Sequence, residues 1–108
     1  MALDVPQTVA AYLAAEKAKD ADALSRCFAD DGTVHDEGRD YCGRDAIRQW
    51  KQETDEKYRY VLHPLDARTQ GDTVILRARL IGEFPGSPVE LDHVFKLSSD
   101  EITSLEIR

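Results

Sequence analysis

Apolar positions recur at intervals of three and four over the first half of the chain, and at every second residue from Tyr58 onward. Val5, Val9, Tyr12, Leu13 and Glu16 share helical spacing, and Ala10, Ala11, Ala14, Ala15 and Ala18 add helix propensity. Asp4 followed by Gln7 has the spacing of a capping box, and Pro6 suits a helix's first turn. Asp20 ends that helix and caps a second, short one, whose apolar face is Leu24, Cys27 and Phe28. Asp30, Asp31 and Gly32 are turn chemistry, and residues 33–36 read as a short strand. A loop ending at Gly43 leads to a third helix, started by Asp45 over 46–56, with Ile47, Trp50 and Thr54 on one side.

The period-two region divides into four strands, 58–68, 73–84, 89–97 and 102–107. Their separators are Gln70-Gly71-Asp72, Pro85-Gly86-Ser87-Pro88 and Ser98-Ser99-Asp100, too short for parallel crossovers, so the expected sheet is antiparallel. Helices first and strands later make a two-layer α+β fold, one domain over residues 1–108. Val74, Leu76, Ala78, Leu80, Gly82 and Phe84 form one face of the second strand; Ile75, Arg77, Arg79, Ile81 and Glu83 form the other. In the next strand Leu91, His93, Phe95 and Leu97 alternate with Glu90, Asp92, Val94 and Lys96. Neither face is purely polar. Helices are expected over one face and a second copy of the chain over the other, a homodimer through the sheet; the alternative is a one-sided sheet with stray exposed apolar groups.

Charge and composition narrow the partners. Fourteen Lys and Arg against twenty-one Asp and Glu leave a net charge of -7, with no basic stripe to engage nucleic acid. No apolar run approaches the ~20 residues of a membrane span, and the start at Met1 lacks the basic and apolar regions of a signal peptide, so a cytoplasmic protein is expected. Cys27 and Cys42 form neither a disulfide framework nor a metal or redox spacing and read as reduced thiols. His35, His63 and His93 fall on different segments without ligand spacing, so no metal is expected. No phosphate-cradling glycine loop, serine elbow or cysteine–histidine nucleophile is visible.

The stretch Leu24-Ser25-Arg26-Cys27-Phe28-Ala29-Asp30-Asp31-Gly32-Thr33-Val34-His35-Asp36, followed by Gly43-Arg44-Asp45-Ala46-Ile47, resembles the nuclear transport factor 2-like superfamily, with matching element order from Thr8 to Ile107. The resemblance implies a cystatin-like cone: a curved antiparallel sheet wrapped around three helices, open at one end into an apolar pocket, and commonly dimeric through the outer sheet face. Within the superfamily the chain is most similar to the ketosteroid isomerases and the SnoaL-like polyketide cyclase branch. That likeness implies a tyrosine donor at Tyr12, an aspartate base at Asp36 and a protonated second acid at Asp92, a division of labour known from ketosteroid isomerase. It implies cofactor-independent proton transfer α to a carbonyl, with a small apolar or carbonyl-bearing molecule as partner.

Each assignment has a chemical reason and a plainer alternative. A carboxylate removes an α-proton more easily when donors hold the developing enolate oxygen, and a phenol with a normal pKa of about 10 suits that task. Asp92 donates only if an apolar pocket keeps it protonated. Its strand phase sets it with Val94, opposite His93 and Phe95, which is compatible with an inward placement; otherwise Asp92 pairs with Arg77 or Arg79, or is solvated on an edge. Tyr12 is otherwise core, and Asp36 a solvated turn residue. Trp50, Tyr58 (or Tyr60), Val94 and His63 are the expected substrate-lining residues, with core packing or an ordinary sheet position as their alternative. Glu37 follows Asp36 where these isomerases carry proline, and the Pro85–Pro88 link is short, which favours a substrate smaller than a steroid. Three functions stay open: an isomerase or related cyclase or dehydratase, a non-catalytic carrier of a small apolar ligand, and a dimeric interaction module whose cone is filled by its own side chains.

Overall fold

The structure is a computed structural model that describes residues 4–108; the expectation about a leader segment at residues 1–3 lies outside the described residues. Helix α1 spans Gln7–Ala18 and turns Val9, Tyr12, Ala15 and Glu16 inward. Its N-cap is Pro6, with no side-chain cap, so the expected capping box fails: Asp4 sits two residues too early for its oxygen to reach the first free N–H groups. Lys19 ends α1 in the left-handed region, and Asp20 accepts a hydrogen bond from the Ala23 N–H (3.0 Å), capping α2, Ala21–Ser25, as expected. Phe28 does not belong to α2's apolar face. It opens strand β1, Phe28–Asp36, which therefore includes the Asp30–Gly32 stretch read from sequence as a turn. An irregularity between Phe28 and Thr33 absorbs those extra residues.

Strand β2, Arg39–Cys42, pairs with β1 across a tight Glu37–Gly38 turn whose two residues both have positive φ (54° and 75°). That conformation matches the twist of a two-residue hairpin. Helix α3, Arg44–Tyr58, buries Ile47, Trp50 and Lys51. It ends with Arg59 in the left-handed region, so the next strand begins at Val61 rather than at Tyr58. Strands β3 (Val61–Gln70), β4 (Thr73–Ile81), β5 (Val89–Ser98) and β6 (Glu101–Ile107) form the antiparallel meander anticipated from the short turns.

The six strands run β2-β1-β6-β5-β4-β3 in one curved, unclosed sheet. One pair departs from the antiparallel expectation: β6 lies parallel to β1, because the chain between them passes through α3 and the whole meander, which is ample for a crossover. Phe28, Val34, Leu76, Phe95 and Leu105 from the sheet pack with Val9, Leu24 and Ile47 from the helices in one core. The other face carries the ion pairs Arg77–Asp92 and Arg79–Glu90 together with exposed Val61 and Ile81. No helix among the described residues is long and apolar enough to cross a membrane. Cys27 and Cys42 are both free thiols.

Candidate active site

Between the concave sheet face, α1 and α3 lies a cavity of about 140 Å³. Its aromatic walls are Tyr12, Trp50, Tyr58, Tyr60 and Phe84, and Leu80, Val89, Leu91 and Ile107 supply aliphatic surface. The polar groups reaching it include Asp36, Glu37 and His93. A cavity near 150 Å³ accommodates a benzene ring, whereas drug-sized ligands occupy about 300 Å³ or more, so this one has room for a single six-membered ring.

Asp36 comes to the cavity because β1 alternates: Val34 and Asp36 face the helices, while His35 bonds sideways to its cross-strand neighbour Asp40 (2.6 Å). The Trp50 indole Nε1–H donates to Asp36 Oδ2 at 3.0 Å, which ties strand end to helix. Burial raises the Asp36 carboxyl above its ordinary pKa and the neighbouring Glu37 charge adds to this; the Trp50 N–H and the Glu37 backbone N–H pull the other way. Across the mouth, the Tyr58 hydroxyl donates to the Glu37 carboxylate, and the Tyr58 ring meets Phe84 edge-on at 5.7 Å.

Tyr12 is 1% exposed and packs edge-on against Phe95 (5.0 Å) and Phe28 (6.2 Å). Burial, reinforced by the Glu16 and Asp36 charges, lifts its phenol well above 10, so it remains a proton-bearing donor. Tyr12 and Asp36 thus share the cavity, and Trp50 and Tyr58 line it as well.

Asp92 does not join them. Register pairs it with Arg77 on the outer face, where Arg77 Nη1 donates to its carboxylate at 2.9 Å and the side chain is 36% exposed. Pleating forces the choice: with Leu76, Ala78, His93 and Phe95 buried inside, their alternates must face out. Val94, opposite Ile75, lies on that outer face, and so does His63, opposite Arg79 and exposed; neither borders the cavity. In place of Asp92 the strand presents His93, 2% exposed, whose pKa is lowered to about 4 chiefly by burial, with Lys51 assisting and Glu16, the Leu91 carbonyl and Asp92 opposing. The signal for His93 was the run of apolar partners on its side of β5, Leu91, Phe95 and Leu97.

Behind Tyr60 lies a buried ionic cluster that sequence pattern did not reveal. Lys51, wholly enclosed, donates to Glu16 Oε1 (2.7 Å), the Tyr60 hydroxyl (3.0 Å) and the Asp55 carboxylate. The Tyr60 hydroxyl in turn donates to Glu16 Oε2 at 3.0 Å, and Lys19 bonds the Tyr60 carbonyl at 2.5 Å. Tyr60 is thereby locked between these charges and the cavity. Gly82 permits the arrangement: a Cβ there would lie 2.7 Å from the Tyr58 carbonyl oxygen and 2.8 Å from Tyr60. Among the described residues no group of three His, Cys, Asp or Glu is placed to hold a metal ion.

The SnoaL-like domain family matches residues 9–105. A Sinorhizobium meliloti protein assigned as a polyketide cyclase is 40% identical, with a TM-score of 0.95 over 97% of this chain and 96% of its own. A Catenulispora acidiphila protein with a ketosteroid isomerase-like fold, solved with trimethylamine, is 29% identical, with a TM-score of 0.85 over 97% of this chain and 86% of its own. The epoxide hydrolase/cyclase-like enzyme SalBIII of salinomycin pyran ring formation, at 19% identity, shares the fold, with a TM-score of 0.80 over 94% and 86% of the two chains. No curated protein matches the chain.

Proposed function

The chain belongs to the SnoaL-like domain family, and from that membership we propose that it is a small-molecule enzyme moving a proton α to a carbonyl, of the isomerase or cyclase type. The observation that carries this reading is Asp36, a carboxyl raised in pKa by burial, pinned by an indole N–H and open to an aromatic cavity. A base so placed is poised to gain a proton without leaving its position. Its carboxylate takes the α-proton, the C–H electron pair moves onto the carbonyl oxygen as an enolate, and the Tyr12 O–H donates a hydrogen bond to that oxygen. In an isomerase, protonated Asp36 returns the proton to another carbon of the conjugated enolate. In a cyclase, the enolate carbon attacks a second carbonyl of the same molecule, and the proton goes to the new alkoxide. The 40% identical protein assigned as a polyketide cyclase supports the second branch, and the small cavity supports a substrate whose reacting part is one ring.

Deuterium uptake at the α-carbons of cyclohexanone in D2O, followed by proton NMR, tests the reading. Asp36→Asn is expected to slow exchange by about 10²–10⁴-fold, and Tyr12→Phe by about 10²–10³-fold. Undiminished exchange in Asp36→Asn overturns it; saturable binding without exchange in the unaltered protein favours the carrier. Pairing of two copies through the outer sheet face belongs to the same reading. Sedimentation at twice the 12.2 kDa chain mass supports that pairing, and sedimentation as a monomer removes it.

A further inference from the structure

His93 Nδ1 is, among the described residues, a fully buried side-chain nitrogen with no hydrogen-bond partner. Buried polar atoms are nearly always paired, so an unpaired one within a residue that lines the cavity asks what the ring is placed to bind. The protein supplies nothing there: the cross-strand partners of His93 are Leu76 and Ile107, and Phe95 stacks beside it at 6.4 Å. The Leu91 carbonyl is close enough to favour a ring proton but lies outside bonding geometry. Glu16 and Lys51 act on the ring from beyond contact and with opposite signs. A neutral imidazole has one N–H and one lone pair, and a change of tautomer exchanges which ring nitrogen donates.

Register puts this orphan in line with the base. His93 pairs with Ile107 on β6, while His35 of β1 pairs with Glu106, so Asp36, Ile107 and His93 form one row across three adjacent strands. Ile107 is the floor of that row, and all three border the cavity. Two strand spacings put the row's ends about 10 Å apart at the backbone, room for a six-membered ring between the two side chains.

We propose that His93 is the deep anchor of the ligand, its ring N–H donating to a carbonyl or hydroxyl oxygen, so that the cavity selects ring-sized oxygen-bearing molecules over hydrocarbons of the same shape. The inference rests on the cavity being the ligand site proposed above, but not on turnover. It gives His93 the oxygen-holding place that the outward Asp92 leaves vacant, beside Tyr12 and across from Asp36.

Protein labelled with 15N-histidine, titrated with cyclohexanone and with methylenecyclohexane, which has the same outline without the oxygen, provides the test. Cyclohexanone is expected to shift the His93 ring nitrogens saturably, and methylenecyclohexane to leave them nearly unmoved. His93→Leu is expected to reduce the ketone-over-alkene affinity ratio at least tenfold, while His93→Gln, which keeps a donor, retains most of it. Ketone binding that moves the Trp50 indole signal but not the His93 nitrogens overturns the proposal, as does an unchanged ratio in His93→Leu or no ketone binding at all. If His93→Leu does not fold, the unaltered protein's nitrogen shifts and the glutamine variant decide. A persistent His93 response in protein that catalyses no α-exchange sinks the catalytic reading alone.

Discussion

Lys51→Met tests the ionic cluster that backs the cavity. Methionine nearly matches the lysine stem, so the substitution removes a charge from a fully enclosed site with little change in packing. What remains is the Glu16 carboxylate, 3% exposed, bonded to the Tyr60 hydroxyl and 3.4 Å from Lys19, and the Asp55 carboxylate, 3.7 Å from the same lysine. Removing one partner of a buried pair typically costs about 3–5 kcal/mol, because the other charge is left without its counter-ion. Lys19 is 39% exposed and well hydrated, and it supplies part of the missing field, which places the loss at the lower end, about 3 kcal/mol. For a domain of this size each kcal/mol moves the melting temperature by about 4–8 °C, so a fall of about 12–24 °C is expected. Urea unfolding followed by circular dichroism measures it, with an unchanged m-value as the sign that only stability moved. Adding Glu16→Gln to Lys51→Met removes the more deeply buried of the two stranded charges and should recover at least about 1 kcal/mol. A single-variant loss below about 1 kcal/mol, or a double variant weaker than the single, would refute the idea that these charges act as a coupled buried set.

Further expectations concern pH and backbone. His93 has its pKa lowered to about 4 in the fold, so the unfolded chain binds the extra proton first, and stability falls as pH drops from about 6.5 toward 4. The fall amounts to about 3 kcal/mol; urea midpoints should decline less steeply over this range in His93→Gln, and parallel declines would disprove the assignment. Asp36 works with the opposite sign: its raised carboxyl means stability is lost as pH rises through the window above the ordinary carboxylate pKa. Asp36→Asn should therefore be at least as stable as the unaltered protein at pH 7, and a lower urea midpoint there would contradict this. Gly82→Ala places a methyl group against the Tyr58 carbonyl and Tyr60, and should cost about 1–3 kcal/mol in a thermal melt; an unaltered melting temperature would show that the two segments are not held as described.

The sequence made the meander legible because β4 alternates every second residue, β5 does so apart from Val94, and their turns are rich in Gly, Ser and Pro. Alternation divides such a strand into two faces but does not say which one is inner, and β5 carries chemistry on both. The deciding clue lay one strand away. Val74, Leu76 and Ala78 are uniformly apolar, and Arg77, which register puts beside Asp92, claims that acid for the outer face. Strand β2 was invisible for a different reason: Arg39-Asp40-Tyr41-Cys42 is four residues of an edge strand, with no buried alternation to betray it. Tyr12 and Asp36 are singled out by the resemblance to the ketosteroid isomerases; helical phase by itself tells only that Tyr12 faces inward, and the pattern leaves Asp36 open as a turn residue. The Glu16–Lys51 contact could not be anticipated: each charge interrupts the apolar stripe of its own helix, but nothing in either stripe says that the two interruptions meet once the helices have packed.

The placement of β6 between β1 and β5 bears on how the protein is made. Strand β1 cannot be joined to the meander until β6 has emerged from the ribosome, because the strand that unites them is synthesised after β3, β4 and β5. A nascent chain cut short before Glu101 would be two separate half-sheets with raw edges, prone to stick to its neighbours, rather than a slightly smaller version of the finished molecule.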